Sequence, residues 1–382
     1  MLRKVAIDLR PLRHRDYRLL WTGQAISALG NMATFVAVPY QLYSLTGSAL
    51  QVGLLSICDA VPLLAFAGSP QVWALYVLAF VATSFWSLGA PALRAMMPGL
   101  VPDDQLAASQ VLVSIYGTSA AIVGPALGGA LIAAVGVGWA YVIDAASFFG
   151  SLVAVLLVAP APPKVEVARE ALESLREGWR FLVGQPVILG TFVLDTNAMV
   201  FGMPQALFPA IAAHHFDAGA RVVGLLYAAP SAGALLAALT SGWIGHVRRQ
   251  GVAVALAIVV WGTAIAIFGF STALWLALVM LAIAGCADEI SAILRSTILF
   301  ASTPDHFRGR MQGFELTQVA STPALGNVEA GIVASLTSLR FSVVSGGIAC
   351  AAGALAILAL LPDLLRYDSS RRGQVSDAGT RA

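Results

Sequence analysis

Charge is scarce in this chain of 382 residues: Asp, Glu, Lys and Arg make up only 11% of it. A soluble domain carries about 25%, so a water-soluble globule is excluded. Cysteine is nearly absent. Cys58, Cys286 and Cys350 each fall in an apolar run. With no CxxC and no Cys/His cluster, neither a disulfide framework nor a structural zinc is expected. No Walker loop, catalytic triad, metal-binding His cluster or nucleic-acid-binding surface is recognisable. An ATP-driven pump is therefore disfavoured, and no enzyme, cofactor or metal site is expected. No cleavable signal peptide is expected either, because the first apolar run is too long and no small-residue cleavage site follows it.

What the chain does have is hydrophobic length. The apolar fraction is 58% and the mean hydropathy +0.82. A hydrocarbon core about 30 Å thick takes about 20 apolar residues to cross as helix. Runs of that size are read at 19–45, 50–69, 72–93, 106–134, 139–160, 187–213, 221–244, 251–269, 273–300, 312–336 and 341–362, about eleven spans in all. Backbone polar groups in lipid must be satisfied within the protein, so the expected fold class is an all-α integral membrane bundle.

Positive residues mark cytoplasmic ends. Arg3, Lys4, Arg10, Arg13, Arg15 and Arg18 place the start inside. Arg248 and Arg249, then Arg308 and Arg310, mark inner loops, and Arg366, Arg371 and Arg372 mark an inner tail. The links near Gly136, His214, Ser271 and Ser338 are nearly free of Lys and Arg and read as outer. The one long polar connector, 161–186, carries Val165, Ala168, Leu172, Leu175, Trp179 and Leu182 at helical spacing, the pattern of an amphipathic helix on the membrane face. The expected organisation is an N-terminal bundle at 1–160, a cytoplasmic linker helix at 161–186, a C-terminal six-helix bundle at 187–365 and a cytoplasmic tail at 366–382.

The halves read as a repeat. In each, an Arg near a helix end (Arg94, Arg295) precedes a Pro-Asp pair and the next helix. Measured to that pair, the first half is about 33 residues shorter than the second, the size of one spanning helix with its loop. The parity of the spans agrees. The shortfall points to Gly68-Ser69-Pro70-Gln71, an abrupt polar junction between two apolar runs.

Several strings carry a family likeness: RHRDYRLLWTGQAISALG (13–30), VAVPYQLYSLTGSALQVGLL (36–55), PGLVPDDQLAASQ (98–110), GPALGGALIA (124–133), YVIDAASF (141–148), VFGMPQALFPAIA (200–212) and STPDHFRGRMQGF (302–314). In this order and spacing the chain resembles the major facilitator superfamily, in the bacterial efflux branch of enterobactin-exporter-like and macrolide-efflux-like proteins. The resemblance implies a two-bundle fold of twelve helices, the third missing here, with both termini cytoplasmic. It also implies an antiporter in the inner membrane. The superfamily's Gly-x-x-x-Asp-Arg-x-x-Arg-Arg loop between its second and third helices has no counterpart. Its equivalent in the second half, GWIGHVRRQG (242–251), has His246 at the acidic position, and Asn31 stands where many relatives have an acid. Gly124, Pro125, Gly128 and Gly129 resemble the exporters' antiporter signature, with Ala120 in place of its upstream Gly; the same residues also suit close helix packing.

Ionisable groups within spans are costly and are functional candidates by default. Asp195 and Asn197 precede Gly202 and Pro204, which should loosen their helix, and polar groups beside such a break suit substrate or proton contact. An inner-end position solvated by cytoplasm is the alternative. Asp288, Glu289 and Arg295 share one span, where they should pair with one another or with a neighbour. Asp59 suits a proton or a cationic substrate, or lines a polar gap near a helix end. Glu315, with Glu329 further along the same span, lines the cavity or is solvated at the inner end. Arg308 and Arg310 either anchor a solvated loop or gate the inner side against the surface helix.

The function expected is secondary active, proton-coupled efflux of a small amphiphilic molecule such as a drug, a macrolide-like compound or a siderophore. The alternative is a truncated, non-transporting membrane scaffold or decayed family member. Expected partners are the small-molecule substrate, the proton gradient and the lipid bilayer, with no nucleic acid, and the chain is expected to act as a monomer.

Overall fold

The computed structural model describes residues 8–58, 77, 100–102, 105–158 and 171–367. Thirteen α-helices and no strand occur among them. They are α1 (Arg15–Thr46), α2 (Ala49–Cys58), α3 (Leu106–Val135), α4 (Val137–Leu156), α5 (Ala171–Gly184), α6 (Pro186–Phe201), α7 (Phe208–His215), α8 (Ala220–Leu239), α9 (Gln250–Phe270), α10 (Leu274–Ser302), α11 (Asp305–Leu336), α12 (Leu339–Leu360) and α13 (Pro362–Arg366). Asp59 and the 68–71 junction lie outside the described residues.

Local sequence explains the helix ends. Gly47 closes α1 in the left-handed region, φ 63°, and returns its N–H to the Tyr43 carbonyl at 2.7 Å, the usual helix C-terminal arrangement. Pro186 opens α6 in the first turn, where a missing N–H costs nothing. Ser338 caps α12 by accepting the Phe341 N–H at 3.1 Å.

Seven helical stretches among the described residues are long and apolar enough to cross a membrane: Ile115–Val135, Val137–Leu156, Pro186–His215, Ala220–Leu239, Gln250–Phe270, Leu274–Ser302 and Leu339–Leu360. The sequence reading counts four more: α1, α11, and the runs at 50–69 and 72–93, which lie largely outside the described residues. Helices α1 and α11 are each 32 residues long but are diluted by polar side chains such as Gln24, Gln41, Glu315 and Gln318. Large apolar side chains at Trp275, Leu239, Leu336 and Leu360 are mostly exposed, as befits surfaces meeting acyl chains.

Three expected boundaries shift. The span at 187–213 is interrupted: α6 stops at Phe201, a 3-10 turn follows at Gln205–Leu207, and α7 resumes at Phe208. The span at 221–244 ends at Leu239 and gives way to a 3-10 turn at Ser241–His246. Helix α11 begins at Asp305, so Arg308 and Arg310 lie on its first turns and not in a loop.

The chain divides into two compact units. The first comprises the described residues up to Gln51, those of 57–167, and Phe208–Ala228; the second comprises Val52–Ser56, the described residues of 168–207, and those from Ala229 onward. In the first, α1 packs along α4, with Gly23 against Ala154 and Gly30 against Ser147. Hydrogen bonds lace this seam: Gln24 Nε2 donates to Ser151 Oγ at 2.9 Å, and Tyr141 Oη donates to Gln41 Oε1 at 2.6 Å. Tyr17 and Trp21 tie α1 to α3 through the carbonyls of Ser109 and Leu112.

In the second unit, the core gathers Leu194, Val254, Ile258, Leu294, Ile298, Cys350 and Leu364. Here α8 and α10 approach backbone to backbone, Gly233 against Ala282 and Gly285 against Pro230. Close approach through small residues is the usual way membrane helices gain packing energy.

Candidate functional site

A buried charge in a membrane bundle needs a counter-charge. Arg295 of α10 forms an ion pair with Asp195 of α6, their side chains only 12% and 4% exposed. Arg295 thus reaches across to α6, whereas Asp288 and Glu289, earlier on α10, do not receive it. The pair opens onto a small recess lined by Thr191, Phe192, Asp195, Arg295, Leu299, Glu315 and Gln318. Glu315 of α11 lines it, half-buried, and accepts a hydrogen bond from Ser296 Oγ at 2.9 Å. Gln318 locks α11 to α6 by donating from Nε2 to the Phe192 carbonyl at 2.7 Å and to Thr196 Oγ1 at 2.8 Å. Among the described residues, the buried Nε–H of Arg295 has no hydrogen-bond partner. Three helices thus bring one cation and two carboxylates to one wall. Such a wall can hold and release a proton or a polar substrate group.

Beyond Asp195, α6 breaks at Gly202 and Pro204, as their residue types lead one to expect. Lipid offers no replacement for the lost helical hydrogen bonds, and two side chains supply it. Trp261 Nε1 of α9 donates to the Gly202 carbonyl at 2.9 Å. Asn327 Oδ1 of α11 accepts the Ala206 N–H at 3.0 Å. Gly326 lets α11 come close to Met199 and Met203 at this point.

Asn197 is placed elsewhere. Its Nδ2 donates to the Cys350 carbonyl of α12 at 2.8 Å, and its carboxamide occupies the space left by Gly353. This is a helix-packing contact and not a wall of the recess.

The antiporter-like motif lies in the first unit. Gly124 meets Met32 and Gly128 meets Ala33, both on α1, while Gly129 and Gly224 abut each other and the Pro125 carbonyl abuts Gly224. A Cβ at any of these would displace a neighbouring helix.

Arg248 and Arg249 sit in the short link before α9. Arg310 is engaged: Nη1 pairs with Glu177 Oε2 of α5 at 2.9 Å, and its guanidinium lies 5.0 Å over the Phe307 ring. Phe181 of α5 stacks on Phe307 at 4.6 Å between centroids, and Trp179 tilts against Phe314 at 6.1 Å. A small core of Leu182, Ile188, Leu299 and Met311 lies beneath, bordered by Phe192. The linker helix therefore docks on the start of α11, and Leu299 and Phe192 belong both to this core and to the recess. Trp179 remains 57% exposed, although its helical spacing places it on the apolar face.

Sequence reasoning missed Gln318, Ser296, Trp261 and Asn327. The two carboxamides carried a signal, since a polar side chain in an apolar run must find a partner. Ser296 and Trp261 carried none. No cluster of His, Cys, Asp and Glu able to hold a metal occurs among the described residues.

Residues 63–375 match the transmembrane secretion effector family. The chain is 31% identical over 391 residues to the enterobactin exporter EntS of Citrobacter koseri (strain ATCC BAA-895), which spans 93% of this chain and 94% of that one. It is also 31% identical over 317 residues to the enterobactin exporter EntS of Shigella boydii serotype 18, across 83% and 75% of the two chains. In the first alignment only about 355 of the 391 positions hold a residue of this chain. The unmatched positions total about as many residues as one membrane-crossing helix with its loop. Among solved structures, a bacterial homologue of the human lysosomal transporter Spinster, inward-facing and occupied, superposes with a TM-score of 0.66 at 15% identity, covering 94% and 98% of the chains. A bacterial metal transporter gives 0.60 at 12%, covering 90% and 98%. These two likenesses concern the fold. The family match, the exporter relatives and the all-helical membrane architecture together make this chain a member of the major facilitator superfamily, in its bacterial efflux branch.

Proposed function

We propose that this membrane transporter is a proton-coupled exporter of a small amphiphilic molecule, working from the inner membrane with both termini in the cytoplasm. The observation that carries the reading is the Asp195–Arg295 pair with Glu315 beside it, buried charge lining a recess next to a broken helix. Such charge is costly in a bundle and is kept where ions or substrates pass. The recess combines charged and hydrogen-bonding groups with the apolar Phe192 and Leu299, which suits a ligand with both polar and greasy parts. Protonation of a carboxylate there would bias two states of the protein through their different proton affinities. Asp288 and Glu289, at mid-length on α10, are second-rank candidates for the same task. Asp59 stays a sequence-based candidate. Relatives named enterobactin exporters support export of a siderophore-like compound.

The test is efflux of a dye and drug panel, with a catecholate siderophore included, from efflux-deficient cells expressing this chain, with and without a protonophore. Protonophore-sensitive efflux is expected. Efflux indifferent to the protonophore would remove the coupling, and absence of efflux would count against the exporter.

A shortfall against that relative totalling about one helix favours a second reading, a non-transporting scaffold or decayed member. A version with a family-like third helix inserted after Gly68 separates the two. Efflux by the repaired chain alone would assign the present one to this second class.

A further inference from the structure

The recess holds two carboxylates, and they are not equivalent. The geometry points to Glu315 as the one that gains and loses the coupling proton, with Asp195 fixed as the permanent counter-ion of Arg295. The assignment rests on the exporter reading above and deepens it.

Asp195 is buried, and its negative charge is matched directly by the Arg295 guanidinium. Protonating it would take from a buried cation the carboxylate paired directly with it, leaving only the more distant charge of Glu315 nearby, which is the expensive way to break an ion pair. Arginine cannot relieve the imbalance by giving up its own proton. Glu315 stands differently. Among the described residues its direct hydrogen-bond partner is the neutral Ser296 hydroxyl, and it lines the recess half-buried. A hydroxyl donates to a carboxylate or accepts from a carboxylic acid, so Ser296 can serve both forms of Glu315 by rotating. With Asp195 and Arg295 neutralising each other, the wall carries one net negative charge when Glu315 is ionised and none when it is protonated. The event is a plain proton transfer. An O–H bond forms on a Glu315 carboxylate oxygen with a proton from water on one side of the membrane, and later breaks toward water on the other.

The charged groups facing Glu315 are Asp195 from α6 and Arg295 from α10. From its own helix Gln318 adds a neutral amide to the same wall. Glu177 of α5 is paired with Arg310, on the first turns of α11. Asp288 and Glu289 lie about 10 Å further along α10, at 1.5 Å per residue.

The test is infrared difference spectroscopy of the chain reconstituted in lipid, comparing acid with alkaline buffer and following the C=O stretch of protonated carboxyl groups. It needs no substrate. In E315Q one component of that band should vanish. In the D195N/R295Q double variant, which removes the pair without stranding a charge, the component should persist. S296A, a conservative surrogate should E315Q not fold, should shift the component's titration midpoint. A band unchanged in E315Q, or a component lost in D195N/R295Q, would overturn the assignment. A Glu315 component present in a chain that shows no protonophore-sensitive efflux would sink the exporter reading while leaving the titration of Glu315 standing.

Discussion

The side-chain carbonyl of Asn327 accepts the backbone N–H of Ala206 at 3.0 Å, joining α11 to the interruption between α6 and α7. Trp261 serves the carbonyl on the other side of that interruption. Hydrogen bonds between membrane helices contribute about 1–2 kcal/mol in model peptides. N327A and W261F are each expected to destabilise the detergent-solubilised protein by about that amount, read from its thermal unfolding. Two single variants as stable as the parent would strip both side chains of this capping role.

Asn197 and Gly353 form a second testable pair. N197A removes the hydrogen bond to Cys350, while G353A drives a methyl group into the Asn197 carboxamide. Each alone should destabilise. The double variant should be more stable than the sum of the singles by about 0.5–3 kcal/mol, the usual range for residues in contact. Strict additivity would show that the two do not touch.

The approach of α8 to α10 admits no side chain. A Cβ at Gly233 would meet the Ala282 backbone, and one at Gly285 the Pro230 backbone. G233V and G285V should therefore abolish a monodisperse peak when membranes are solubilised and run on a sizing column. Val at Gly150, where a Cβ meets nothing within 4 Å, is the control and should behave as the parent. Normal elution of both α8–α10 variants would refute the tight contact.

Docking of α5 rests more on rings than on charge. The Glu177–Arg310 pair has side chains 60% and 30% exposed, and such surface pairs contribute about 0–1 kcal/mol. Phe181 and Phe307 are both half-buried and stack at 4.6 Å. F307A should speed amide hydrogen exchange across Ala171–Gly184 clearly, and E177Q only slightly. The reverse order would make the ion pair the main fastening.

The membrane fold was legible because hydrocarbon imposes one strong rule, which apolar runs of spanning length obey. The break after Phe201 was legible as well, since Gly202 and Pro204 weaken a helix from within. The partnership of Asp195 with Arg295 was not. A shared span left Arg295 free to pair with Asp288, with Glu289 or with a neighbouring helix, and only the packing of α6 selects Asp195. For Arg310 the sequence left two readings open, a solvated anchor and a contact with the surface helix, and spacing alone could not choose between them before α5 was seen to lie across it. Asn197 showed the converse. Its place beside Asp195 suggested shared chemistry, yet residues two apart on a helix point in different directions, and it turns to α12.

The capped break has a consequence for how the protein is made. Ala206 leaves the ribosome 121 residues before Asn327 does, and Gly202 leaves 59 residues before Trp261. During that interval the nascent chain holds an interrupted helix whose Ala206 N–H finds no acceptor, and whose Gly202 carbonyl finds no donor, in lipid. The segment must wait in a polar shelter, water or the insertion machinery, until α9 and then α11 arrive. Synthesis stalled ahead of α11 would leave an unfinished helix that membrane quality-control proteases can recognise, so the lifetime of the protein depends on a late residue rescuing an early one.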